Sequence, residues 1–172
     1  MKGVILAGGL GTRLYPLTHA TNKHLLPIYD QPMIFYPIQT LVEAGITEVL
    51  LVTGGPHAGD FLRVLKSGKE LGLTHLEYAY QEKEGGIVDA LLLAEEFAKN
   101  EAIALILGDN TTDADISQTV RSFKDGATIF LKEVPDPERY GVPVFDKKDQ
   151  KKIVKVEEKP KKPRSKYAVT GF

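Results

Sequence analysis

Short apolar runs alternate along the chain with longer segments whose apolar residues recur at helical spacing. The segments that predict helices cover residues 33–44, 58–65, 87–98 and about 115–123. The apolar runs that predict buried strands cover residues 4–7, 49–52, 75–80, 102–107 and 127–131. Apolar strands separated by helices form a mostly parallel sheet with helices on both faces. The pattern therefore predicts a three-layer α/β fold.

The pattern changes near residue 146, where the apolar runs become shorter. Residues 142–145, 153–156 and 167–169 predict short strands around turns, so an α/β beginning gives way to a β-rich C-terminal part. Residues 147–166 hold ten basic and three acidic residues, a local charge of +7. Such a stretch is either a solvated hairpin or a positive rim for a ligand that carries phosphate. The residues alone leave both interpretations open.

Composition narrows the class of protein. The 172 residues suit one domain or a large part of a longer protein, and 42% hydrophobic and 26% charged residues are ordinary for a globular chain. A net charge of −1 gives no support to nucleic-acid binding, which needs a basic excess. The absence of cysteine excludes disulfides, a Cys-ligated zinc site and a cysteine nucleophile. No apolar run approaches the about 20 residues of a membrane span, so we expect no membrane partner and a cytoplasmic location.

A glycine-rich loop follows the first predicted strand. Gly8, Gly9 and Gly11 let the backbone approach a bulky anion, and successive N–H groups there can hold phosphate oxygens. The loop lacks the third glycine of the dinucleotide fingerprint and the Gly-Lys-Ser/Thr of a Walker A motif. A glycine turn by itself is often purely structural. The cations Arg13 and Lys23 close behind it favour a phosphate site.

An acidic residue follows the predicted strand that ends at Leu107. Asp109 comes two residues after that end, and ligands of open α/β sheets bind at the carboxyl ends of the strands. A carboxylate at this place can bind Mg²⁺ beside a nucleotide triphosphate. The alternative is an Asx turn or a helix cap.

Several motifs together resemble the sugar-nucleotide pyrophosphorylases, a family of nucleotidyltransferases. Within that family they are most similar to members that transfer a thymidylyl group. The motifs occur in order along the whole chain: residues 8–18 (GGLGTRLYPLT), 23–28 (KHLLPI), 30–33 (DQPM), 108–110 (GDN), 136–142 (DPERYGV), 157–160 (EEKP) and 167–171 (YAVTG).

The resemblance implies a fold and a reaction. The fold is the Rossmann-like sheet of nucleotide-diphospho-sugar transferases, in a single domain over residues 1–172 with a nucleotide-binding part at about 1–133 and a sugar-binding part at about 134–172. The reaction joins dTTP and glucose 1-phosphate to give dTDP-glucose and pyrophosphate, with Mg²⁺ assisting in-line attack on the α-phosphate. Family members extend past residue 172 and carry a second metal-binding Asp there. We therefore expect an incomplete sugar-binding part, and a homo-oligomer in the full-length form.

The resemblance also implies roles for individual residues. Arg13 and Lys23 would hold the triphosphate and stabilise the leaving pyrophosphate, Lys159 would hold the sugar phosphate, and Asp109 would bind Mg²⁺. The positions that match nucleotide contacts are Leu6, Gly8, Gly9, Gly11, Thr12, Gln81 and Gly86, of which the last two read the base edge. The positions that match sugar contacts are Asn110, Tyr140, Gly141, Glu158, Lys159 and Val169.

Some residues have competing interpretations. Glu158 and Lys159 also fit an ordinary surface ion pair in a hairpin. His24 stands where thymidylyl-transferring members often have Gln, which suggests a neutral hydrogen-bonding substitute and no catalytic role. Residues 111–115 depart from the family pattern of an aromatic residue and a glycine, and Asp113 or Asp115 would cap the helix that follows.

Two alternative functions stay open at this stage. The first is a non-catalytic module that binds a nucleotide sugar, because the second metal carboxylate is missing. The second is a sibling enzyme that uses UTP in place of dTTP. Single apolar contacts supply only about 1–3 kcal/mol of selectivity, so the sequence does not separate these two bases.

Overall fold

The computed structural model describes residues 1–82, 85–149 and 152–171. These residues form two compact units, Met1–Phe123 and Lys124–Phe172. The strands are β1 (Lys2–Ala7), β2 (Pro27–Ile28), β3 (Gln31–Pro32), β4 (Glu48–Gly54), β5 (His75–Gln81), β6 (Ile103–Leu107), β7 (Leu131–Glu133), β8 (Gly141–Phe145), β9 (Ile153–Glu158) and β10 (Tyr167–Val169). The α-helices are α1 (Phe35–Glu43), α2 (Ala58–Leu65), α3 (Gly86–Leu92), α4 (Glu95–Ala98) and α5 (Ser117–Ser122).

The first unit is built on a four-stranded sheet in the order β5-β4-β1-β6. Every neighbouring pair is parallel, and Ile5 of β1 lies opposite Leu51 on one side and Ile106 on the other. All six residues of β1 are buried, as expected of a central strand covered on both faces. The prediction of a parallel α/β sheet from the apolar runs is confirmed.

Helices cover both faces of this sheet. Successive residues of a strand point to opposite faces, so neighbouring residues of β1 pack against different helices. On one face Val4 and Leu6 of β1 belong to a buried cluster with Ala90, Ala94 and Phe97 from the α3–α4 region. On the other face, a side chain at Gly3 would meet Leu41 of α1 at 2.8 Å. The sheet is therefore the middle of three layers. Within the described residues, no helix is long and apolar enough to cross a membrane.

Two sequence expectations about elements are wrong. The single helix expected over residues 87–98 is divided into α3 and α4, and the N–H of Ala94 bonds to Leu91 with the tighter i−3 spacing. No Gly or Pro marks this break. The strand expected over residues 127–131 lies further along the chain, as β7 at Leu131–Glu133. Its position is determined by pairing with Tyr167–Val169.

The second unit consists of two short antiparallel pairs, β8 with β9 and β7 with β10. The Phe145 ring meets the Tyr167 ring edge to face, with centroids 6.1 Å apart, which joins the two pairs. The expected change from an α/β beginning to a β-rich C-terminal part is confirmed.

Candidate active site

The carboxyl ends of β1, β5 and β6 surround a pocket of about 230 Å³ in the first unit. This is the edge at which open parallel sheets bind ligands. The pocket is lined by Leu6, Gly8, Gly9, Lys23, His24, Gln81, Gly86, Ile87, Ala90, Leu107 and Asp109. Seven of these were predicted from the sequence to bind nucleotide, phosphate or metal, and they come from four separate segments of the chain.

Gln81 is held against the glycine loop at the end of β5. Its side-chain oxygen lies 3.1 Å from the place where a Cβ at Gly8 would stand, so Gly8 leaves room for the Gln81 amide. The amide nitrogen of Gln81 donates to the carbonyl oxygen of Gly86 at 3.3 Å. These contacts bring together the two residues predicted to read a base edge.

Lys23 and Asp109 form an ion pair at the mouth of the pocket. The ammonium nitrogen of Lys23 lies 2.6 Å from Oδ2 of Asp109, and both side chains are partly exposed. Burial raises the pKa of the Asp109 carboxyl, but the hydrogen bond from Lys23 and the Lys23 charge outweigh burial and hold that pKa below its usual range. The carboxylate is therefore ionised at neutral pH, next to a cation that can turn to an incoming phosphate.

Gly11 shapes the loop by a tight contact with Lys23. Its φ of +63° lies in the left-handed region, and a Cβ there would stand 2.8 Å from Cβ of Lys23 and 2.9 Å from Cγ2 of Thr18. The hydroxyl of Thr18 donates to the Gly11 carbonyl oxygen at 3.1 Å. A residue with a side chain would be strained here and would also displace Lys23.

Substitution of Gly11 by Ala should lower the free energy of unfolding by about 2–3 kcal/mol, from backbone strain and overpacking together. Gly45→Ala is the matched control, because Gly45 has a φ of +85° and open space around its Cα. Urea denaturation should show a smaller loss for Gly45→Ala, of about 1–2 kcal/mol, from backbone strain alone. Equal losses in the two variants would mean that the contact with Lys23 is unimportant.

His24 is a buried, neutral residue at the back of the pocket. Its Nδ1 lies 2.7 Å from Oδ1 of Asn22, and its ring packs against that of Phe61. Burial, followed by the nearby Lys23 charge, lowers the pKa of His24 from 6.5 to about 4 against the opposing effect of Asp109. The ring is therefore uncharged at neutral pH, in agreement with the expected neutral substitute for Gln.

The lowered pKa of His24 should make stability fall in acid. Between pH 6.5 and 4 the unfolded chain binds a proton at His24 that the folded chain refuses, so the free energy of unfolding decreases as the pH falls through this window. The decrease from pH 7 to 4 is about 3 kcal/mol. Urea denaturation should show it in the parent chain and in His75→Gln, whose imidazole is exposed, but not in His24→Gln. A parent chain and His24→Gln with the same pH dependence would contradict this role.

Arg13 and Thr12 lie outside this pocket. They belong to a short 3₁₀ turn, Thr12–Leu14, and both are exposed. Thr12 lines a second, wider cavity of about 680 Å³ on the first unit, with His19 and His57. The guanidinium of Arg13 makes no ion pair with any residue that the structure describes. Its exposed position leaves the guanidinium accessible to a ligand phosphate.

The segment after Asp109 leads into α5 and holds a second carboxylate that is hydrogen-bonded at the start of this helix. Oδ1 of Asp115 accepts from the N–H of Ser117 at 2.8 Å, at the start of α5. Hydrogen bonding from the Ser117 side chain, and next from its backbone N–H, lowers the pKa of Asp115. Ile116 occupies the N-cap position of α5 without a side-chain cap, so the expectation of an N-cap at Asp113 or Asp115 is wrong. Asp115 accepts from the first residue of the helix, and Asp109 lies eight positions before it. Asn110 follows Asp109 in a turn in which its N–H donates to the Leu107 carbonyl oxygen at 3.0 Å.

The predicted sugar contacts of the second unit lie near one another. Gly141 of β8 pairs with Glu158 of β9, and a Cβ at Gly141 would stand 3.4 Å from Oε2 of Glu158 and 3.8 Å from Cβ of Val169. The N–H of Lys159 donates to the Tyr140 carbonyl oxygen at 3.0 Å.

The competing interpretation of Glu158 and Lys159 also has support. The Lys159 ammonium lies 3.6 Å from Oε1 of Glu158, and both side chains are largely exposed. An exposed pair of this kind contributes little to stability. The backbone of Lys159 has a φ of +43°, in the left-handed region that a lysine rarely adopts. The role of these two residues in binding sugar therefore stays a prediction.

The donor set of the pocket is compatible with Mg²⁺. No three His, Cys, Asp or Glu side chains among the described residues are grouped to hold a metal ion by themselves. Mg²⁺ is usually bound by one or two carboxylates, while water and substrate phosphates complete its six ligands. The ionised, partly exposed Asp109 fits an ion that binds together with a nucleotide.

Four pocket residues have no role in the predicted site: His24, Ile87, Ala90 and Leu107. The helical spacing of Ile87 and Ala90 indicated one face of a helix, but it did not show that this face reaches the glycine loop. Asn22 was also missed. Its position before a short turn was the available signal, since Asn is a preferred capping residue.

Comparisons with known proteins show the family to which the chain is similar. A protein-family model described as nucleotidyl transferase matches residues 2–172. The chain is 43% identical over 176 residues to a glucose-1-phosphate thymidylyltransferase of Neisseria meningitidis, with 100% of this chain and 60% of the relative covered. It is 45% identical over 175 residues to one from an Actinoplanes species, with 100% and 57% covered. The chain thus spans about 60% of the length of these relatives.

Solved structures are similar over almost the whole chain. A Bacillus anthracis protein assigned as a glucose-1-phosphate thymidylyltransferase, solved with sucrose, is 48% identical with a TM-score of 0.92, covering 99% of this chain and 69% of its own. A UDP-glucose pyrophosphorylase solved with UDP-glucose is 27% identical with a TM-score of 0.80, covering 99% and 74%.

Proposed function

Because the chain belongs to the nucleotidyl transferase family, we propose that it transfers a thymidylyl group from dTTP to glucose 1-phosphate. The products are dTDP-glucose and pyrophosphate, which makes this a reaction of dTDP-sugar biosynthesis. The observation that carries the proposal is the pocket at the sheet edge, where the glycine loop, Lys23, Gln81 and Asp109 come together. The names of the relatives above favour dTTP over UTP.

The reaction is a displacement at phosphorus. A phosphate oxygen of glucose 1-phosphate forms a bond to the α-phosphorus of dTTP, and the bond from that phosphorus to the bridging oxygen breaks on the opposite side. Pyrophosphate leaves with the bonding electron pair. The protein needs to position the two substrates and to neutralise charge, since little covalent chemistry is required of it.

Each part of the pocket has a task in this scheme. The backbone of Gly8 and Gly9 approaches the nucleotide phosphates, and Lys23 neutralises their charge. Asp109 would hold a Mg²⁺ ion, which supplies positive charge at the phosphate oxygens when it is bound. Arg13, exposed on its turn, binds the leaving pyrophosphate through its planar guanidinium.

The base and the sugar are assigned to separate parts of the chain. Gln81 and the backbone of Gly86 read the edge of the base. The residues assigned to the sugar in the second unit are Tyr140, Gly141, Glu158, Lys159 and Val169, of which Lys159 is assigned to the sugar phosphate. Asn110 of the first unit is also assigned to the sugar. This corresponds to a nucleotide-binding part at about residues 1–133 and a sugar-binding part at about 134–172. We also place the protein in the cytoplasm, as a homo-oligomer in any longer form.

The experiment that tests this proposal is product analysis with isotopically labelled sugar phosphate. Glucose 1-phosphate with ¹⁸O in its phosphoryl group is incubated with dTTP, Mg²⁺ and the 172-residue chain, and the products are followed by ³¹P NMR. We expect dTDP-glucose in which the phosphorus next to thymidine shows the isotope shift of a bridging ¹⁸O. Formation of dTDP-glucose without that shift would contradict attack by the sugar phosphate oxygen.

A further inference from the structure

Two buried polar residues flank Lys23 on either side along the chain. Asn22 is 5% exposed and His24 is 2% exposed, whereas Lys23 between them reaches the mouth of the pocket. Polar side chains are buried only when their hydrogen bonds are satisfied, so this pair requires a structural or functional reason. The predicted site assigns no role to Asn22 and gives His24 no catalytic role.

We propose that Asn22 and His24 form a clamp that positions the Lys23 ammonium for phosphate binding. This inference rests on the proposed function, in which Lys23 neutralises the nucleotide phosphates. Asn22 and His24 are positioning residues, because they act through Lys23 and touch neither the reacting phosphorus nor the leaving group. The class of ligand that they serve is a nucleoside triphosphate.

The hydrogen bonds of the clamp specify the form of the imidazole. Oδ1 of Asn22 accepts from the backbone N–H of His24 at 3.0 Å and lies 2.7 Å from its Nδ1. An atom that accepts from a backbone N–H is an acceptor, so Nδ1 of His24 must carry a proton and donate it. The ring is thereby fixed in one tautomer, and Oδ1 of Asn22 closes the turn by accepting two hydrogen bonds.

This turn determines the position of the Lys23 backbone. The residues Lys23–Leu25 form a 3₁₀ turn capped by Asn22, and the N–H of Ile34 donates to the His24 carbonyl oxygen at 2.8 Å. A Cβ at Gly108 would stand 2.9 Å from Cδ2 of His24, so the ring is packed directly beneath the residue that precedes Asp109. The clamp therefore ties the backbone of Lys23 to the strand end that carries its ion-pair partner.

The opposing interpretation is an ordinary buried histidine that only stabilises the fold. The two interpretations differ in what happens when Lys23 is absent. A positioning clamp has nothing left to position once Lys23 is removed, whereas a purely structural role has the same effect with or without Lys23. A double-mutant cycle separates these outcomes.

The experiment measures kcat and KM for Asn22→Ala, Lys23→Ala and the double variant in the full chain. We expect Asn22→Ala to lower kcat about 10- to 100-fold in the parent chain, as for a displaced catalytic group. In the Lys23→Ala background it should lower kcat less than about threefold. Asn22→Asp, which keeps both acceptor contacts, should recover most of the activity. Gln118→Ala, an exposed amide on α5, is the control and should stay within about twofold. Equal losses in the two backgrounds would overturn the proposal.

A second measurement does not depend on turnover. In chain labelled with ¹³C and ¹⁵N, without substrate, NMR should detect the Lys23 ammonium with a scalar coupling across its hydrogen bond to the Asp109 carboxylate carbon. The signal is assigned by its absence in Lys23→Ala. We expect Asn22→Ala and His24→Phe, each shown to be folded, to lose this coupling, and Asn22→Asp to keep it.

The two measurements distinguish failure of the clamp from failure of the proposed function. If the parent chain shows no transfer but Asn22→Ala loses the coupling, the clamp is supported and the proposed reaction is rejected. An unchanged coupling in either folded variant, Asn22→Ala or His24→Phe, would overturn the clamp whatever the activity. If Asn22→Ala does not fold, His24→Phe decides the question, since it keeps a ring of similar size and removes the Nδ1 donor.

Discussion

Asp109→Asn should lower kcat/KM for dTDP-glucose formation by about 10³-fold, the upper range for removing one group that stabilises charge. Asn has the size of Asp but no charge, so the variant loses both the ion pair with Lys23 and the negatively charged oxygen ligand offered to Mg²⁺. Activity should recover in part at high Mg²⁺, because substrate phosphates still contribute ligands. The measurement is initial rate against Mg²⁺ concentration for the parent chain and the variant.

The matched control for this prediction is Asp113→Asn, in the same loop. Asp113 is exposed and lies four positions further on, so its removal changes the loop charge equally but leaves the Lys23 ion pair intact. We expect the control to stay within about twofold of the parent. A similar loss in both variants would show that general loop charge matters, and that Asp109 has no special role.

Arg13→Ala should lower turnover by about 10²–10³-fold with little effect on stability. The side chain is exposed and makes no ion pair with the residues that the structure describes, so its loss leaves no buried partner unsatisfied. Its guanidinium would stabilise charge on the leaving pyrophosphate, which is greatest in the transition state. The expected change is therefore in kcat more than in KM. Steady-state kinetics with dTTP as the varied substrate measures both.

The control for Arg13 is Arg121→Ala, which removes an exposed arginine from α5. We expect it to keep full activity within about twofold, and both variants to unfold at the parent temperature within a few degrees. An Arg13→Ala variant within threefold of the parent would remove Arg13 from the reaction scheme. Another cation would then have to stabilise the charge on the leaving pyrophosphate.

The parallel sheet was predictable because its central strands β1 and β4 are short, apolar and buried on both faces. Four of the apolar runs correspond to β1, β4, β5 and β6 within one or two residues at each end. The fifth, residues 127–131, was displaced to β7 because pairing with β10 determines where that strand forms. Position in a small antiparallel pair depends on the partner, and the apolar pattern of one segment does not contain that information.

The candidate site was predictable to the extent that it follows strand ends. Gly8, Gly9 and Asp109 come directly after buried parallel strands, so the topology brings them to the same edge. The Asn22–His24 hydrogen bonds were not predictable, because they depend on how a short turn packs under Gly108. Sequence spacing likewise does not show that Lys23 meets Asp109, which lies 86 positions further along the chain.

Pyrophosphate release tests the central claim most directly. The 172-residue chain is supplied with Mg²⁺, glucose 1-phosphate and, in separate reactions, dTTP, UTP, GTP, CTP or ATP. The account predicts release that is fastest with dTTP and that requires glucose 1-phosphate. A folded chain that binds dTTP but releases no pyrophosphate with any of the five nucleotides would contradict it, and would identify the pocket as a site for binding without transfer.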